Sequence, residues 1–160
     1  MKKPLKPTGP YHDFWLLNTA ENPYDASPYF KARKDAPVRL EDDVLRYFSD
    51  SLNWLSTSSI ERVKGKNLNY FGLTIINSEG SKLFSKLTKN WADLLKLGPK
   101  EIVITGSYEV QLDENEQPID NGDYQKIKIN QSELVSKLEK LKEFADVVSK
   151  GEHYILHSGI

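Results

Sequence analysis

The residues predict an α+β domain with a mixed, mainly antiparallel sheet and its helices packed on one face. Three observations carry this. Short β-branched and aromatic runs are interleaved with long helical stripes, a strand-like run closes the chain, and from residue 68 the order is strand, helix, strand, strand, helix, strand. That order is the split βαβ arrangement called ferredoxin-like, a βαββαβ core over 68–158. Right-handed crossovers would place both of its helices on the same side of the sheet. A strand and a helix ahead of residue 68 are then N-terminal additions.

Residues 1–10 hold prolines at 4, 7 and 10 and lysines at 2, 3 and 6, and are expected to be flexible. "YHDFWLLN" (11–18) is the first strand. Residues 18–38 form an irregular arm, since Pro23, Pro28 and Pro37 interrupt any regular element, yet it is aromatic, with Tyr24, Tyr29 and Phe30. "LEDDVLRYFSDSLNWLST" (40–57) predicts one helix. Leu45, Phe48, Leu52 and Leu55 recur at helical spacing, and Glu41, Asp42 and Asp43 lie at the positive end of its dipole. "LNYFGLTIIN" (68–77) is rich in residues that favour strands.

The next helix, 79–97, carries Leu83, Phe84, Leu87, Trp91, Leu94 and Leu95 on one stripe, and Leu97-Gly98-Pro99 stops it. "EIVITGSYEVQL" (101–112) alternates as a half-buried strand, with Ile102, Ile104, Tyr108, Val110 and Leu112 on one face. "DENEQPIDNGD" turns the chain and "YQKIKI" (124–129) returns it. Asn130 caps a third helix, with Glu133 placed for a reciprocal bond and Leu134, Leu138, Leu141, Ala145 and Val148 as its apolar stripe. Gly151 ends that helix, and "HYILHS" is the last strand. The predicted core includes Leu87, Trp91, Leu94, Ile102, Ile104, Leu138 and Leu141.

The 160 residues make one domain (1–160), and 38% hydrophobic content suffices for a core. The net charge of −1 argues against a dedicated nucleic-acid binder, which carries a basic surplus. With no cysteine there are no disulfides, thiolate nucleophiles or cysteine-ligated zinc. The basic start "MKKPLKPTGP" leads into no apolar run, and no uncharged apolar stretch reaches the roughly 18 residues of a membrane helix. A cytoplasmic protein without a membrane span is expected.

No motif for catalysis, metal or cofactor emerges, so none of the three is expected. On a strand, His153 and His157 stand about 13 Å apart, whereas imidazoles sharing a zinc need nitrogens within roughly 4 Å. They are expected to flank Ile155 on the less apolar sheet face. His12 beside Asp13 defines no triad without geometry. The turn places Asp113, Asn115 and Gln117 at calcium-loop spacing, but Pro118 falls where such a loop needs glycine.

The acidic residues Asp113, Glu114, Glu116, Asp120 and Asp123, with no base among them, instead suit a solvated hairpin tip or a patch for a basic partner. Tyr24, Tyr29 and Phe30 form a second candidate contact, since aromatic side chains anchor interfaces. An RNA-binding sheet presenting Tyr70, Phe71 and Tyr124 is the alternative, although "DYQKIKIN" lacks the glycine-aromatic pattern of an RNA-recognition motif. A small enzyme of unrecognised type is another.

The tryptophan helix running into a strand, "NWADLLKLGPKEIVITGSY", the acidic hairpin, the amphipathic helix and the terminus "YILHSGI" together resemble small bacterial immunity proteins of polymorphic toxin systems. The resemblance covers the C-terminal half. It implies a cytoplasmic, non-catalytic inhibitor whose partner is another protein, a toxin domain. The near-zero net charge departs from the strongly acidic members of that group.

Overall fold

The computed structural model describes residues 10–26 and 36–160. The strands are β1 (Tyr11–Asn18), β2 (Val38–Glu41), β3 (Ser56–Ser58), β4 (Lys64–Lys66), β5 (Leu73–Ile76), β6 (Glu101–Glu109), β7 (Asp123–Asn130) and β8 (His153–Ser158). The helices are α1 (Asp42–Tyr47), α2 (Ser49–Leu52), α3 (Ser78–Lys96) and α4 (Gln131–Val148), and Pro23–Ala26 form a turn of 3-10 helix. The fold is α+β, and every strand pairing among the described residues is antiparallel.

The strand order corrects the ferredoxin-like expectation. The main sheet runs β2-β1-β8-β5-β3-β4, while β6 and β7 form a two-stranded sheet of their own. A ferredoxin-like core would place β7 beside β5 within one sheet. That edge of β5 is taken by β3, through Ser58 opposite Ile75, and β8 is enclosed by β1 over Asp13–Asn18. The N-terminal strand is therefore integral to the sheet. It pairs with β8 over more residues than β5 does and supplies apolar side chains to both faces.

The expected helix 40–57 is also broken. Residues 38–41 extend as β2, Phe48 leaves helical geometry at φ −102° and ψ 5°, and the chain exits into β3. The apolar spacing was real, since Leu45, Phe48, Leu52 and Leu55 are all buried, and Phe48 stacks on Trp91 with centroids 4.4 Å apart. The expected strand 68–77 shortens to β5. Asn67 and Gly72 adopt positive φ, and Asn69 bonds Thr74 and Leu73, so residues 67–72 make a bend.

α3 and α4 begin as predicted. Asn77 accepts from Glu79 N and Gly80 N, and Asn130 accepts from Glu133 N at 3.0 Å. The helices pack on each other and on one sheet face, enclosing Phe14, Ile76, Phe84, Leu138, Leu141 and Ile155 in the main core. α3 approaches β3 so closely that a Cβ on Gly80 would lie 2.1 Å from the Ser56 carbonyl. Leu94 is a further correction: it is 54% exposed, because the buried stripe follows Phe84, Leu87, Trp91 and Leu95. On the other sheet face Trp15, Leu17, Tyr154 and Leu156 form a smaller buried cluster.

Candidate functional site

The sheet and α1 meet at a buried polar corner. Strand alternation puts His12 on the core face of β1 with Phe14, and puts His157 beside Ile155 on β8, opposite Phe14 in register. His12 is 1% exposed and His157 not at all. His12 Nδ1 lies 2.9 Å from His157 Nε2, with ring planes 9° apart, so the rings meet through an in-plane N–H···N bond. The other His12 nitrogen, Nε2, lies 3.1 Å from Asp42 Oδ1. Asp42 starts α1, is 6% exposed, and accepts from the Tyr70 hydroxyl on Oδ2 at 2.8 Å. Arg46 Nε stands 3.7 Å from that same oxygen. This corrects the expectation that His153 and His157 lie on the less apolar face, because Ile155 belongs to the main core.

Asp42 as acceptor makes His12 Nε2 the donor, which leaves His12 Nδ1 to accept from His157 Nε2–H. His157 Nδ1 is then a lone pair, and it has no hydrogen-bond partner within the protein. Burial, with His12 adding, pushes the His157 imidazole well below its ordinary range. Both His12 nitrogens are engaged, so neither is free to take a proton from a substrate. Among the described residues no group of three His, Asp or Glu side chains is placed to hold a metal.

A second feature is the hairpin of β6 and β7. Its near half packs on the core through Ile104, Ile127 and Ile129. Beyond a register shift between Thr105 and Tyr108, the far half stands clear of the body. Tyr108, Val110 and Leu112, expected on the buried face, are 52%, 37% and 53% exposed, because the strand outruns the core that would cover them. Ile119 and Tyr124 are exposed too, and the Tyr108 and Tyr124 rings meet edge to face at 5.0 Å. A groove of about 400 Å3 separates this part from α1, lined by Asp43, Arg46, Tyr47, Ser107, Tyr108 and Tyr124. Arg46 crosses it, donating to Ser107 Oγ at 3.1 Å. Burial, then the neighbouring Asp42, raises the Asp43 carboxyl.

The hairpin brings Asp113, Glu114, Glu116, Asp120 and Asp123 together, all exposed. They differ in role. Asp113 Oδ1 accepts from Asn115 N and Gln117 N, which holds its carboxyl below the usual range. Asp120 Oδ1 accepts from Gln111 N and Gly122 N. These two aspartates build the turn, whereas Glu114 and Glu116 extend its acidic face. Tyr24 is half exposed but lines a different cleft, with Ser58, Arg62, Asn77 and His153. No residue of the hairpin lines that cleft. Tyr29 and Phe30 lie outside the described residues.

No protein family, curated protein or solved structure matches the chain. Sequence reasoning missed the Asp42 corner, because its members are 28 to 145 residues apart in the chain. It also missed Tyr47 and Arg46, read only as part of a helix. Gly106, interrupting the alternation of β6, was the one local sign that the strand changes role midway.

Proposed function

We propose that the chain is a non-catalytic protein-binding module that docks a basic surface of another protein on the far half of the β6–β7 hairpin. One observation carries the reading. From Ser107 to Tyr124 the hairpin exposes Tyr108, Val110, Leu112, Ile119 and Tyr124 beside Glu109 and the five turn acids, with no lysine or arginine in between. Exposed aromatic and aliphatic side chains rimmed by one sign of charge are the composition of an interface: the apolar groups anchor and the charges steer. Among the described residues neither hairpin strand pairs with a third, so both edges also offer backbone groups.

The resemblance to immunity proteins makes a toxin domain the specific partner, neutralised in the cytoplasm by covering its active surface. No helix among the described residues is long and apolar enough to cross a membrane. The RNA-binding alternative draws less support, since Lys128, one of the two lysines facing outward on β7, is paired with Glu101 at 2.5 Å.

The test is titration with a purified toxin domain encoded beside the gene. Glu114→Lys with Glu116→Lys should slow association about tenfold, and Tyr108→Ala should speed dissociation. Binding unaffected by any of the three, or recovery of RNA with no protein partner, would overturn the reading.

A further inference from the structure

The buried corner has one carboxylate for two imidazoles. The bond between His12 Nδ1 and His157 Nε2 requires a proton on one facing nitrogen and a lone pair on the other. We propose that the Tyr70–Asp42–His12–His157 chain is an acid-sensitive latch. With both rings neutral it holds α1 and the 67–72 bend against the sheet; a proton added at His157 Nδ1, which has no acceptor among the described residues, leaves a buried imidazolium and opens the corner.

Among the described residues the surroundings supply no second counter-charge. From α1, Asp42 meets His12, while Asp43 and Arg46 face the groove. The 67–72 bend contributes the Tyr70 hydroxyl, already given to Asp42. Thr74 on β5 spends its oxygen on Asn69 N. On β1, Asp13 points to the opposite face and is held by Arg39 at 2.7 Å. Glu41 of β2 pairs with Lys137 of α4 at 3.1 Å. α3 presents Phe84, stacked on Phe14, and its buried Ser81 and Thr88 bond their own helix. On β8 itself, Ser158 and the more distant His153 offer no negative charge. An imidazolium at His157 would be fully buried with no carboxylate of its own, since Asp42 is engaged by His12 and Tyr70.

What opens follows from what the corner clasps. Tyr70 and Arg46 converge on Asp42 Oδ2, and the C-terminus closes over the bend through Ile160 N to the Tyr70 carbonyl at 2.9 Å and Gly159 N to the Gly72 carbonyl at 2.8 Å. A Cβ on Gly159 would fall 2.2 Å from the Tyr70 carbonyl, so the strand end sits directly on the bend. Arg46 also reaches Ser107, so opening is felt at the groove. That consequence, and it alone, rests on the hairpin being the docking surface.

The latch is tested on the free, full-length chain by hydrogen exchange between about pH 7.5 and about pH 5.5, corrected for intrinsic rates. Protection of 42–47 and 67–72 should lie below that of the interiors of α3 and α4, as local opening requires, and should fall, approaching about tenfold per pH unit for one proton taken up on opening. His157→Gln, whose amide can still donate to His12, should flatten the dependence. Should that variant fail to fold, ring signals of the wild-type histidines serve, with His153 as the internal reference. A titration of the His157 ring in step with the lost protection is expected. Protection that is constant with pH, that is no lower there than in the interiors of α3 and α4, or that falls alike in His157→Gln overturns the latch. In a parallel titration, toxin-domain affinity should drop over the same interval. Opening without that drop keeps the latch and overturns the docking reading.

Discussion

Asp42 and Asp113 are the same residue type, each accepting two hydrogen bonds, and they do opposite things. Asp42 is 6% exposed and accepts from His12 and Tyr70, which lie 30 and 28 residues away in the chain. Asp113 is exposed and accepts from backbone amides two and four residues ahead of it. In the buried corner, removing the carboxylate strands the donor of His12, which is 1% exposed. At the hairpin tip, water stands ready to take over each bond. Burial, rather than the number of bonds, separates a group that holds the fold from one that shapes a surface.

The contrast can be broken by substitution, beginning in the core that encloses the corner. Leu138 is fully buried between α4 and the sheet, so Leu138→Ala should cost about 2–5 kcal/mol in denaturant unfolding. A cost under about half a unit would mean that this face is not the packed side. Asp42→Ala should follow, losing about 1–3 kcal/mol for the His12 donor it orphans and loosening the Tyr70 bend. Near-neutral behaviour of Asp42→Ala in the same assay would erase the distinction from Asp113.

The pH response sharpens it further. Well above about pH 6.5 the His157 ring is neutral folded and unfolded, so this group leaves stability independent of pH. As pH falls from there toward the depressed folded value, the unfolded chain binds a proton that the fold refuses. Stability should then decline by up to about 1.4 kcal/mol per pH unit, with the slope absent in His157→Gln. A flat profile from pH 7 to 5 would contradict the buried neutral ring. The smallest effect is expected at the tip: Asp113→Ala should leave the unfolding midpoint unchanged while raising amide exchange at Asn115 and Gln117. A shifted midpoint would show that the hairpin is coupled to the body.

Much of the local structure was legible in the residues. The apolar stripe announced α3 and Asn130 announced α4, Leu97-Gly98-Pro99 marked the stop of α3, and the alternation of 101–104 marked a strand with Ile104 inward. Strand order was not legible, because β5 can pair equally well with β7, β8 or β3 as far as its four residues show. The choice lay with β1, whose apolar residues on both faces make it a better neighbour for β8 than a surface addition would be. Likewise the stripe of 40–57 marked burial correctly but not the break at Phe48, since the same spacing fits one helix or two short ones that bend around a core.

By itself the sequence determined the elements whose signals are local: helix caps, stop residues, the acidic turn and the absence of thiol chemistry. Each rests on hydrogen bonds or side-chain types within a few residues of one another, so neighbouring letters suffice. The tertiary structure alone decided that Tyr108 is exposed while Ile104 is covered, and that His12, Asp42, Tyr70 and His157 share one water-poor corner. Those outcomes depend on which surfaces meet across the chain, and the energy of a buried polar contact exists only once distant strands have excluded the water between them.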